Sequence, residues 1–332
     1  MKPNIFEIAT SELSQDGFIT WLLLWADKNN KQYDEKLHYC AVDFVKLLIN
    51  KQYQKEIEVD KVKAGRQQEN IDIWAVVNDK YCIIIEDKTY TAEHSDQLER
   101  YKKICLNWCA EKKWSPIFIY LKTGTEAMTS LRIVEEKGFS IVNRSDLLKF
   151  FDEHNTSDND IYLEFYEKIR NLENAEKAYL SKQIKDWDWS CWIGFYNYLD
   201  TMLEITGWNY VSNPNGGFLG MWWNFVVWEN FSVYLQISQD DLCFKIDTGV
   251  GCENCSEIRN KWYEIIMKVA EQTGKNEIIK PSRFGNGRWM TAAMVKREDW
   301  LGRDNEIVNR EKVVECLKSY ESFLNIAKDY KE

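Results

Sequence analysis

The sequence predicts an α/β protein in two parts: a mixed sheet flanked by helices in the N-terminal half, and a second, α+β domain after it. Three observations carry this expectation. Residues 5 to 150 read as helix, strands, helix, strand, an order that lays helices against a sheet. One of those strands, within "CIIIEDKTY" at 82–90, opens on an apolar run of the kind that is buried on both faces. A chain of 332 residues, 45% hydrophobic and 14% aromatic, can bury one large core or two medium ones.

Each element has its own signal. From Ser11 to Asp27 the residues Phe18, Trp21, Leu22 and Trp25 recur at helical spacing behind a Thr10 or Ser11 cap, and a second helix is expected from Glu35 to Asn50. "KEIEVDKVK" alternates with period two, and "NIDIWAVV" and "KYCIIIED" follow as strands joined by a turn at "VVNDKY". "AEHSDQLERYKKICLNWCAEKK" returns to helical spacing through Leu98, Tyr101, Cys105 and Trp108, after which "PIFIYLK" and "FSIVN" are strands and a short helix starts at Ser145. The loop-like "EHNTSDND" at 153–160 separates the expected domains, 1–155 and 156–332. The second domain begins with a charged helical segment to about Lys185 and a helix from Trp189 to about Thr206. An antiparallel meander follows through "MWWNFVVW", "FSVYLQIS" and "LCFKIDT", then a helix from Ser256 to Gln272, a strand near "RWMTAAMV" and a final helix from Asn309.

Composition excludes several classes. With a net charge of −10, the chain is not one that coats nucleic acid by bulk electrostatics, so any polyanion must meet a local patch. "MKPNIFEIATSELSQDG" has acids and polar residues where a signal peptide has an apolar core, and runs such as "WLLLWA" are too short to cross a bilayer. The expectation is a soluble, cytoplasmic protein with no membrane partner. Nine scattered cysteines, several in apolar stretches, point to free buried thiols. Cys252 and Cys255 stand at metal-ligand spacing, but three histidines and no second CxxC cannot complete a structural zinc site.

The charges that end the apolar strand are the chemically telling feature. Side chains alternate along a strand, so Glu86 and Lys88 share a face with Cys82 and Ile84 while Asp87 points the other way. The preceding strand carries Asp72. A two-residue loop of Asn78 and Asp79 would pair Val77 with Lys80 and leave Glu86 on the wrong face for Asp72. A three-residue loop, Asn78 to Lys80, pairs Val77 with Tyr81 and sets Asp72 opposite Glu86. Opposed carboxylates repel, and a divalent cation between them reverses that sign.

With a helix before and after, this D-x13-E-x-K hairpin resembles the PD-(D/E)XK nuclease superfamily. "SELSQDGFITWLL", "IDIW", "IIIEDKTY" and "HSDQLERY" together look like one bacterial branch of it, over about residues 5 to 150. The resemblance implies a restriction-endonuclease-like core in which Asp72 and Glu86 ligate Mg²⁺ or Mn²⁺ and Lys88 orients or helps deprotonate the attacking water. It further implies that Glu12 completes the acidic set and that Gln97 supports it. Ile71 stands where the superfamily's name has proline.

Other residues are placed to flank the metal site or to meet nucleic acid. His94, Gln97 and Tyr101 fall on one helical face, and Arg66 sits in "AGRQQEN" just before the Asp72 strand. Residues 275–297 carry six basic residues, Arg283 and Arg288 among them, against the single acid Glu277. The expected function is metal-dependent cleavage of nucleic acid, with DNA the expected substrate and bacterial defence a compatible role. The alternative is a catalytically silent nuclease-fold protein that binds nucleic acid or a protein. Because an acidic chain binds bulk DNA poorly, a homo-oligomer or an activating protein partner is also expected.

Overall fold

Two five-stranded sheets organise the chain. The computed structural model describes residues 2–91, 96–213 and 216–331, and it divides into two units, 1–125 with 130–174 and 126–129 with 175–332.

The first unit opens with α1 (Ile5–Ile8), α2 (Glu12–Trp25) and α3 (Glu35–Tyr53). Strands β1 (Val62–Gln68), β2 (Ile71–Val77) and β3 (Tyr81–Lys88) then form an antiparallel meander. Helix α4 (Gln97–Lys112) crosses to β4 (Ser115–Lys122), and α5 (Met128–Glu136) leads to β5 (Ser140–Asn143). Both β4 and β5 pair in parallel, so the order β1-β2-β3-β4-β5 makes a mixed sheet. Helices α6 (Arg144–Glu153) and α7 (Asp160–Lys177) follow.

Helices cover both faces, as an unbroken apolar strand requires. Ile83 and Ile85 enter a core with α2, α3, α6 and α7, while Cys82 and Ile84 enter the smaller core under α4. The first sheet strand lies later than the "KEIEVDKVK" expectation. Arg66 pairs with Ile73 and Gln68 with Ile71 in β1, whereas residues 54–61 form no strand. Pairing with β2 overrides the weak strand propensity of "KAGRQQ". The sequence reading divides the chain at 155/156, yet Tyr162, Phe165 and Ile169 of α7 pack into the first core, so the division by contacts falls at 174 within that helix.

In the second unit α8 (Trp189–Met202) precedes the meander β6 (Ile205–Val211), β7 (Phe218–Trp228), β8 (Phe231–Ser238) and β9 (Asp241–Asp247). Helix α9 (Cys255–Thr273), strand β10 (Trp289–Val295), α10 (Arg297–Trp300) and α11 (Arg310–Lys328) complete an antiparallel sheet of order β10-β9-β8-β7-β6. Its core joins Trp223, Phe244, Trp262 and Tyr320, so the tryptophan-rich stretch serves packing in part. All nine cysteines are free.

One glycine is demanded by close approach rather than by a turn. A Cβ on Gly124 would lie 2.0 Å from the carbonyl oxygen of Thr89, the residue after β3. Only glycine lets the chain leaving β4 pass against the end of β3. Gly124→Ala is therefore expected to cost roughly 1–3 kcal/mol in chemical denaturation, and a wild-type midpoint would show that the backbone there is free to move.

Candidate active site

The hairpin turn between β2 and β3 decides the geometry. Asn78 and Asp79 both adopt positive φ, 53° and 50°, which Asn and Asp tolerate better than most residues. The Asn78 side chain is locked in place: Oδ1 accepts from the amides of Asp60 and Lys61, each at 3.0 Å, and Nδ2 donates to the Glu58 carbonyl at 2.7 Å. The loop is three residues long, Val77 pairs with Tyr81, and Ile73 pairs with Ile85. Continued one residue, the register sets Asp72 across from Glu86.

The two acids and Lys88 converge on the α4 face of the sheet. Lys88 Nζ is ion-paired with Glu86 Oε1 and lies 3.8 Å from Asp72 Oδ2. Glu86 is fully buried, and Lys88 is only 8% exposed. Gln97, at the start of α4, donates through Nε2 to Glu86 Oε2 at 3.0 Å and to the Tyr101 hydroxyl at 2.9 Å. Tyr101 in turn donates to the Asn70 carbonyl, and its hydroxyl lies 3.4 Å from Asp72 Oδ1. Asp72 Oδ2 accepts from the Asp87 amide at 3.2 Å.

Helix α2 holds the strand end from another side. Glu12 Oε1 accepts from the Thr89 amide at 2.9 Å and from Thr91 Oγ1 at 3.2 Å. Asp87, on the opposite face from Glu86, accepts at Oδ1 from Gln15 Nε2 at 2.6 Å. Gln15 Oε1 accepts from Thr123 Oγ1 at 3.0 Å, and Thr123 Oγ1 lies 3.0 Å from Thr89 Oγ1. Asp16 Oδ1 and Asp87 Oδ2 are both buried without a hydrogen-bond partner. Two buried acids that act on each other favour a protonated form of the pair.

Burial dominates the electrostatics. It pushes Glu86 up to about 8, with Asp72 adding to the effect and Lys88 opposing it. The Lys88 ammonium is disfavoured by burial, but Glu86 and then Asp72 outweigh this and raise its pKa. Burial lifts Asp16 to about 6, and burial followed by the charge of Asp16 raises Asp87.

The structure thus brings Asp72, Glu86, Lys88, Gln97 and Tyr101 together, with Glu12 near enough to Lys88 to favour its charge. Of the two expectations for Tyr101, contact with a phosphate is opposed by its full burial, and it stands beside the acids instead. Arg66 is exposed on β1, and its Nη1 donates to the Leu13 carbonyl at 2.8 Å. In the second unit Arg288 is exposed but committed to Asp247, with Nε and Nη2 at 2.7 and 2.8 Å, while Arg283 is exposed in a loop. His94 lies outside the described residues. The sequence reading missed Gln15 and Asp16, although they follow Glu12 by three and four residues and so share its helix face.

The profile of the PD-(D/E)XK nuclease superfamily matches residues 3–185, more than half of the chain. No curated protein and no solved structure gives a match. Among the described residues, no helix is long and apolar enough to cross a membrane. With a mixed sheet flanked by helices and the D-x13-E-x-K hairpin at its centre, the chain belongs to the PD-(D/E)XK nuclease superfamily.

Proposed function

We propose that this protein is a divalent-metal-dependent nuclease that hydrolyses phosphodiester bonds in DNA, with Asp72 and Glu86 as ligands of Mg²⁺ or Mn²⁺. The observation that supports this reading is the convergence of two carboxylates and an ammonium on one face at the end of β3. The donor set suits a hard cation, since carboxylate oxygens with water and backbone oxygens are what Mg²⁺ takes. When bound, such an ion lowers the pKa of a water nucleophile and stabilises charge on the scissile phosphate.

The chain's own residues do the rest. Lys88 orients the attacking water and offers positive charge to the phosphate. Gln97 fixes the Glu86 carboxyl through Oε2, and Tyr101 ties the start of β2 to α4. Glu12 is the third acid of the set, and by holding the Thr89 amide it also fixes the direction in which Lys88 projects. Arg66 and Arg283 are the exposed guanidinium groups we assign to phosphates. Arg288 contributes less, because its charge is already met by Asp247. The net charge of −10 makes unaided binding to bulk DNA weak, so we infer that self-assembly or a partner strengthens binding and speeds the cutting that the chain itself performs.

Cleavage is tested with plasmid, linear and single-stranded substrates in Mg²⁺, Mn²⁺ and EDTA. The wild type is expected to cut only with metal, and Lys88→Ala and Asp72→Asn to cut at least about 100-fold more slowly. Asp72→Asn should keep the fold within about 1 kcal/mol of wild type, since it relieves carboxylate repulsion. Cutting that survives EDTA or the loss of Lys88 would sink the assignment.

A second test uses stability. Glu86 has its pKa raised in the folded state from 4.5 to about 8, so its contribution is fully present below the ordinary carboxyl range and is lost as pH rises through about 8. In EDTA the melting temperature should fall between about pH 5 and about pH 8.5, and more steeply in wild type than in Glu86→Gln. Added Mg²⁺ binds the ionised pair, so its stabilising effect should grow over the same window and shrink in Glu86→Gln. Identical pH profiles for the two proteins would contradict the electrostatics of the site.

A further inference from the structure

Strand β2 and helix α4, which supply Asp72 and Gln97, also wall a cleft of about 290 Å³ whose sides include Trp74, Trp108 and Trp114. All three rings are half-buried, and among the described residues no other aromatic ring stacks on them. Trp74 shares the Asp72 face of β2, two residues further on, about 7 Å at ordinary strand rise. A Cβ on Gly65 would meet its indole at 2.7–2.9 Å, so one face of the ring lies on the β1 backbone at Gly65 and the other is left to the cleft. The Trp108 indole N–H donates to Glu69 Oε1 at 3.1 Å, which fixes that ring and satisfies its polar edge.

We propose that this cleft binds an unpaired nucleobase of the substrate strand close to the scissile phosphate. This rests on the nuclease reading above. Planar indole walls suit a base, because every base offers a π-face whatever its sequence. Gln68, which also lines the cleft, carries both donor and acceptor groups for a base edge. Two lysines and two acids also line the cleft: Lys63 and Lys112 have no ion-pair partner among the described residues, Asp79 is held by Lys61 at 2.6 Å, and Glu111 stands next to Lys112 in the chain. The Lys63 and Lys112 ammonium groups match the phosphates that flank a base, and a cationic ligand is an outcome the test separates. Trp74 stands only two residues, about 7 Å, from Asp72 along β2, a separation that adjoining nucleotides of one strand can bridge.

The test is binding of a single-stranded oligodeoxynucleotide carrying one 2-aminopurine to the full chain in EDTA, followed by anisotropy and 2-aminopurine fluorescence. Wild type is expected to bind with quenching of the probe. Trp108→Ala and Trp74→Ala should weaken binding about 5- to 100-fold, while Trp108→Phe, which keeps a stacking ring, should stay within about threefold of wild type. Lys112→Gln, an exposed change that spares the cleft walls, should reduce the salt dependence by about one phosphate contact.

No binding by wild type, or wild-type affinity in both alanine variants at unchanged melting temperature, overturns the proposal. So does a trimethyllysine peptide that binds the cleft without competition from the oligonucleotide. Failure of the nuclease reading shows separately: wild type that binds the oligonucleotide but cuts nothing in Mg²⁺ or Mn²⁺ removes the catalysis and leaves the base site standing.

Discussion

A carboxyl group with no solvent exposure, Glu86, is the constraint around which the first unit is built. An ionised carboxylate left alone in a protein interior carries an effective penalty of several kcal/mol, and a second acid opposite makes it worse. Each neighbour answers part of that cost. Lys88 supplies the counter-charge from the same strand, Gln97 supplies a donor from α4, and the amide of Asp87 takes up Asp72. Burial still outweighs these partners and pushes the Glu86 carboxyl up to about 8.

The site is held from both faces of one strand. On the α4 face stand Glu86 and Lys88; on the α2 face Asp87 is gripped by Gln15, with Thr123 and Thr89 completing the chain of hydrogen bonds. Because neighbouring strand residues alternate in direction, a rotation of β3 that relaxed one network would break the other. Asp87, the variable letter of the E-x-K triplet, is thus a brace here. The same logic applies at Thr89, whose amide is taken by Glu12 and whose carbonyl lies against Gly124.

Much of this was legible in the sequence because it follows from short-range rules. Alternation placed Glu86 and Lys88 together and helical spacing put Gln97 and Tyr101 on one face, while two loop lengths stayed open and only the longer set Asp72 opposite Glu86. The less legible parts depend on contacts between distant residues. Nothing in "SQDGF" announces that Gln15 meets Asp87, 72 positions later in the chain. Tyr101 could be assigned to a helix face but not to the inside of the protein, since that depends on where the β1–β2 hairpin delivers Asn70. Arg288 read as a free cation in a basic stretch because Asp247, 41 residues earlier, is brought beside it only by the β9–β10 pairing. The strand at 62–68 was missed for a related reason: its residues have little strand preference, and β2 imposes the conformation on them.

The locked turn at Asn78 also has a consequence for the order in which the chain folds. The β2–β3 pairs that set the site join residues only 4 to 12 apart in sequence, from Val77 with Tyr81 to Ile73 with Ile85. By contrast the parallel β3–β4 pairs, such as Tyr81 with Ser115, wait for a crossover through α4. Hairpins close within microseconds, and long-range parallel pairing is intrinsically slower. The two acids are therefore brought face to face while water still surrounds and screens them, and desolvation is imposed only when α4 and β4 arrive. The chain assembles this repulsive pair in the medium where the repulsion is weakest, and the late-forming α4 carries Gln97 and Tyr101, the groups that make burial tolerable.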